Sequence, residues 1–186
     1  ASDVYKRQIF GNLLAAGIVS SLILNMGTYG PLFADRVLHK GLDGFGSILF
    51  AAGAGSMASG ILSATSSTHY SQRFIFTAAG LCGLLLMAVS YIFWTIPALF
   101  MFALLGFATI LFMVNCNTAI QMASPPEYLG RIMGLYTFVF LGSAPFGSLL
   151  VSAIIEYMGT SLGLAIVGLF EIILILLTAK TYSKQK

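Results

Sequence analysis

Glu171 is the residue with the clearest chemical potential in this chain, because it stands alone in the run GLFEIILILL. A carboxyl group among so many apolar side chains must keep its proton, accept a hydrogen bond from a neighbouring element, or meet a cation. The long apolar runs contain no Lys, Arg or His to serve as that mate. Glu171 is therefore a candidate proton-carrying residue. The plainer alternative is a neutral Glu bonded to an adjacent helix. Uncharged polar residues form a second group. Asn25 and Tyr29 are four apart, as are Asn117 and Gln121, while Asn115 and Thr118 are three apart. On helices these spacings put each pair on one face. Asn25, Tyr29, Asn115 and Asn117 are thus candidates to line a substrate path or to bond between helices, with Gln121 placed to anchor a loop. Catalytic constellations are missing: His39 and His69 lie in separate connectors, and no HExxH or paired-Glu motif occurs. No metal or cofactor site is expected, and an enzyme is not the expected class.

The elements that must position these residues are transmembrane helices. Of the 186 residues, 58% are hydrophobic and 8% charged, and the mean hydropathy is +0.94. A soluble domain carries about 25% charged residues. Crossing the roughly 30 Å hydrocarbon core takes about 20 apolar residues in a helix. Spans are expected near 9–33, 44–65, 74–94, 97–122, 132–155 and 161–179. The fold class is accordingly an all-α, multi-pass membrane protein, with the lipid bilayer as its medium. Cys82 and Cys116 fall in separate spans and read as small packing residues.

Charge placement predicts the orientation. With six spans both ends share one side, which would hold Lys6, Arg7, Arg73, Arg131, Lys180, Lys184 and Lys186, leaving Arg36 and Lys40 on the other. Positive residues concentrate on the cytoplasmic side, so both termini are expected there, with Tyr91 and Trp94 at the outer interface. Residues 1–8, ASDVYKRQ, have the character of a non-native or linker tail, 9–180 form the six-span unit, and 181–186 a basic tail. The orientation survives removal of Lys6 and Arg7. The dispersed charge offers no surface for nucleic acid.

Two spans carry conformational signals. Residues 44–65 contain the small pairs Gly55/Ser59 and Ser56/Gly60, which permit close helix approach in lipid. The stretch 132–155 contains Gly142, Pro145 and Gly147. A mid-helix proline removes a hydrogen bond and collides with the preceding turn, so a kink or hinge is expected there.

The segment from GPLFADRVLHKG into the second span, with the loop NTAIQMASPPEYLGRIMGLY, resembles the C-terminal six-helix half of bacterial major facilitator exporters, within the group of siderophore, macrolide and transmembrane secretion effector proteins. The resemblance covers about residues 9–180. Asn117, Gln121, Pro126, Gly130, Arg131 and Tyr136 stand where that group's loop pattern expects them, although Leu129 replaces its usual Arg. The resemblance implies a half-bundle of a twelve-span secondary transporter in the bacterial cytoplasmic membrane, with an N-terminal six-helix half as partner. It also implies alternating access and export of small amphipathic molecules, of drug or siderophore type, coupled to protons. Gln121, Glu127, Gly130 and Arg131 then become candidates for a cytoplasmic gate, with Glu127 and Arg131 as an ion pair. The motif expected after the second span lacks its Asp in TSSTHYSQR, so no charge-relay role attaches to that loop. A non-transporting membrane subunit is the alternative, with an intramembrane enzyme further behind.

Overall fold

Apolar runs in lipid satisfy their backbone polar groups internally, so they fold as helices. The computed structural model describes residues 2–65 and 71–183, and all regular structure among them is helical. Helix α1 runs Ser2–Leu22, α2 Met26–Arg36, α3 Gly41–Thr65, α4 Gln72–Val89, α5 Thr95–Ala123, α6 Leu129–Met158 and α7 Thr160–Ser183. Together these supply six membrane-length apolar crossings, because α1 and α2 make one crossing between Arg7 and Arg36. His69, Lys184 and Lys186 lie outside the described residues.

Two of the expected spans differ from the helices for local reasons, and another contains the proline expected to bend it. The first span, expected as one helix, is two. The third ends at Val89 instead of near 94, where Ser90 bonds the Met87 carbonyl and a turn begins. The fifth crossing passes through Pro145 as one uninterrupted helix. Between α2 and α3 the chain reverses through His39 and Gly41, both at positive φ (54° and 53°). A Gly there avoids the strain a Cβ would bring.

Helix α1 lies at the centre, touching α4, α5, α6 and α7. Around it run α3, α5, α4, α7 and α6 in contact order, and α2 spans the gap between α6 and α3. Close backbone approach at small residues holds the pairs together. A Cβ on Gly55 would overlap the Ala103 carbonyl, and one on Gly106 the Ala52 carbonyl, so α3 and α5 touch main chain to main chain. Glycine serves the same purpose between α1 and α6, where Gly147 lies on the Ser21 carbonyl, and between α4 and α7, where Gly83 faces Gly168. Without a hydrophobic drive between helices in lipid, this intimacy supplies the dispersion contacts. Serines add bonds between helices: Ser20 donates to the Phe140 carbonyl, Ser143 to the Gly17 carbonyl at 3.2 Å, and Ser56 to the Gly106 carbonyl at 3.3 Å.

Burial is uneven. Only 17% of the apolar window is buried in α3 and in α6, against 50% in the first crossing and 44% in α4. Leu49, Phe50, Met57 and Ile61 on α3, and Phe138, Leu141, Phe146 and Leu149 on α6, are exposed.

Candidate functional site

The break in the first crossing sets the geometry of the site. It falls between Leu22, where α1 ends, and Met26, where α2 starts. Just beyond it comes a stretch in which Gly27 and Gly30 are poor helix formers and Pro31 cannot donate to the Gly27 carbonyl. At the junction Leu24 N–H reaches back five residues to Val19 O (3.2 Å), and Thr28 N–H closes a tight turn on Asn25 O (2.8 Å). Carbonyls freed this way are costly inside a bilayer. Two side chains take them up. The Asn25 amide donates to Ser21 O, and the Tyr29 hydroxyl donates to Ile23 O at 2.8 Å. The i, i+4 pair identified from the sequence therefore bonds within its own span, not across to another helix. Tyr29 is completely buried and Asn25 partly so.

The mending of the break is testable. Tyr29→Phe leaves Ile23 O without its partner, and an unsatisfied buried acceptor costs about 1–3 kcal/mol. The melting midpoint of the purified protein in detergent is expected to fall, and Asn25→Leu to act in the same direction through Ser21 O. Unchanged melting in both variants would show the carbonyls satisfied some other way.

Beside the break lies a cavity of about 220 Å³, walled by Ile23, Leu24 and Met26 on one side and by α3 and α5 on the other. Its polar groups are hydroxyls: Tyr29 at the back, Ser56 on α3 and Thr109 on α5. Each already donates to a main-chain carbonyl, Thr109 to Leu105 O at 2.7 Å. Their lone pairs remain as acceptors, and no charged residue among the described residues lines the space. Such a wall suits an apolar molecule offering a donor or two.

The other candidates fall in three places. Asn115 is buried with its amide bonded to Leu111 O, leaving Oδ1 unpartnered. Asn117 accepts from the Gln121 amide on the same helix and lies against the Tyr136 hydroxyl across the α5–α6 contact. Gln121, Glu127, Gly130 and Arg131 are exposed at one end of the bundle. Glu127 belongs to the turn before α6, so it does not form a helical i, i+4 pair with Arg131. Of the hinge residues, Gly142 has open space around it and Pro145 is exposed, whereas Gly147 is committed to packing on Ser21.

Glu171 is fully buried, and its carboxyl group faces the Gly83 main chain of α4, which lies within electrostatic reach without making a hydrogen bond of good geometry. It lies on α7 against Gly83 of α4, where a Cβ would strike its Oε2. Cys82, next to Gly83, is in electrostatic range of both Glu171 and Tyr29, and its Sγ is 3.8 Å from Thr109 Oγ1. Polar atoms thus run from the carboxyl group through Cys82 and Thr109 to the cavity.

Sequence reasoning passed over Asn12 and Gln72. Asn12 is fully buried on α1; its Oδ1 accepts from Gln72 of α4, and its carbonyl from Cys116 Sγ at 3.4 Å. The signal was available: an amide in the run IFGNLLAAG is as exceptional as Asn25.

An all-α bundle of six apolar crossings, one of them broken beside a cavity, defines a multi-pass membrane protein built like a half-bundle of the major facilitator fold. A family model described as transmembrane secretion effector matches residues 7–185. The chain belongs to that family of the major facilitator superfamily, whose business is membrane transport. No curated protein and no solved structure matches the chain.

Proposed function

We propose that this chain exports small amphipathic molecules, drug-like or siderophore-like, as one lobe of a twelve-span alternating-access carrier in the bacterial cytoplasmic membrane. It acts as a transporter, not as an enzyme. The observation that carries this reading is the broken first crossing beside the hydroxyl-lined cavity. Interrupted helices at mid-membrane are where secondary transporters place their substrate. A space of 220 Å³ is small against the roughly 300–1,000 Å³ of most ligand sites. A facing lobe would complete it. The sparse burial of α3 and α6 supports such a partner, a further six-helix half covering those two faces. The excess of cations at the two ends and at Arg73 and Arg131 supports cytoplasmic termini. Asn115 and Asn117 extend the polar path along α5, and Gln121, Gly130 and Arg131 form the cytoplasmic end of the gate, with Glu127 in the turn before it. Gly142 and Pro145 give α6 its bending point as the lobes rock, about the fixed contact of Gly147. Protons drive the cycle through Glu171.

The test is efflux from cells expressing the full-length gene, across a panel of hydrophobic drugs and siderophores. At least one compound is expected to accumulate less than in vector controls, and Ser56→Leu, which fills the cavity, to restore its accumulation. A gene product that alters the accumulation of none of the panel would remove the export assignment and favour a non-transporting membrane subunit.

A further inference from the structure

A cleft of about 550 Å³ opens between α4 and α7, lined by none of the residues that wall the cavity beside the broken span. Its origin is the glycine crossing. A Cβ on Gly83 or Gly168 would strike the backbone of the opposite helix, so α4 and α7 touch there main chain to main chain. On the Arg73 side of this crossing lies the cleft. Phe76 and Gly80 of α4 form one wall, and Ile172, Leu176 and Ala179 of α7 the other. A Cβ on Gly80 would meet nothing within 4 Å, so the missing side chain leaves the wall open.

We propose that this cleft holds an anionic phospholipid, with its phosphate at Arg73 and one acyl chain laid along the Phe76–Gly80 wall. The lining divides by depth as a lipid does. Arg73 and Thr77 stand at the α4 end of the cleft, and exposed Lys180 follows Ala179 at the same end of antiparallel α7. Among the described residues Arg73 is the one charged side chain that lines the space, so a negative headgroup meets a cation there. Beyond this lip the walls are apolar, and the seven steps from Arg73 to Gly80 rise about 10 Å along the helix, the depth of the upper part of an acyl chain. Arginine and lysine at helix ends extend to the headgroup level while their stems stay in the apolar layer. The position also fits a lipid. Helix α4 touches neither α3 nor α6, so the α4 wall of the cleft, which carries Arg73, is separate from the two sparsely buried helices.

The experiment is native mass spectrometry of the purified chain in mild detergent, offered equal amounts of dioleoyl phosphatidylglycerol and dioleoyl phosphatidylcholine. One phosphatidylglycerol is expected to remain bound in preference to phosphatidylcholine. A basic residue at the membrane surface favours an anionic lipid enough that Arg73→Gln should weaken this preference about fivefold. Lys40→Gln, at the other end of the bundle, should leave it unchanged. Gly80→Leu should abolish retention of either lipid by filling the wall. Equal retention of the two lipids, an Arg73→Gln protein that keeps the wild-type preference, or displacement by soluble glycerol phosphate would each overturn the proposal. The measurement needs no transport, so it stands or falls separately from the export assignment.

Discussion

Gly147→Val is expected to lower the heat resistance of the folded protein markedly, while Gly142→Val, five residues earlier on the same helix, should be well tolerated. A Cβ on Gly147 would sit inside the Ser21 carbonyl, whereas one on Gly142 meets nothing within 4 Å. The obstruction is main chain on a helix that ends one residue later, so neither side can yield by a rotamer change. Relief requires α1 and α6 to separate, and separation also breaks the Ser20–Phe140 and Ser143–Gly17 hydrogen bonds. Overpacking costs about 1–3 kcal/mol and each lost bond about 1 kcal/mol, so the sum is about 3 kcal/mol or more. That is a sizeable share of a stability of about 5–15 kcal/mol. The check is size-exclusion chromatography of fluorescent-protein fusions with a thermal challenge. A Gly147→Val protein as abundant and as heat-resistant as Gly142→Val would show that the α1–α6 contact does not hold the bundle.

Glu171→Gln is expected to keep the fold and abolish proton coupling. Glutamine has nearly the volume of glutamic acid and carries no ionisable proton. The carboxyl group makes no hydrogen bond of good geometry, and the glutamine amide oxygen can still face the Gly83 main chain, so the substitution removes little else. An ionised carboxylate at this site would lack compensation, so loss of its proton would be costly, which is what the proposed coupling role requires. In proteoliposomes containing the full-length carrier, substrate movement driven by a pH gradient should fall to the rate seen without one. Exchange of labelled for unlabelled substrate should continue. Gradient-driven movement equal to that of wild type would remove Glu171 from the coupling path and leave it as a buried contact at the Gly83 crossing.

The resemblance of the loop between the fourth and fifth spans was specific enough for the family to be recognised from residues alone. Its finer details were not. Glu127 and Arg131 have helical spacing in the sequence, yet Pro125 and Pro126 delay the helix until Leu129, which leaves Glu127 in a turn. The small residues of the second span announced close packing, but not which residues do it. Gly55 carries the contact, while a Cβ on Gly53 or Gly60 would meet nothing. Asn25 and Tyr29 were visible as a polar pair, and their purpose depended on a break that hydropathy cannot register.

What the residues determine unaided is the number of crossings and their character, because lipid demands long apolar helices and the cost of breaking that rule is high at every position. Glu171 stands out for the same reason. Tertiary structure decided where α1 stops at Leu22 and which carbonyls Asn25 and Tyr29 rescue. It also decided that Gly83, Gly106 and Gly147 are contact points, and that a cavity and a cleft are walled by different helices. Helix pairing in a membrane depends on the fit of one surface to another. That fit involves residues far apart in the chain, so it emerges only when the helices are placed together.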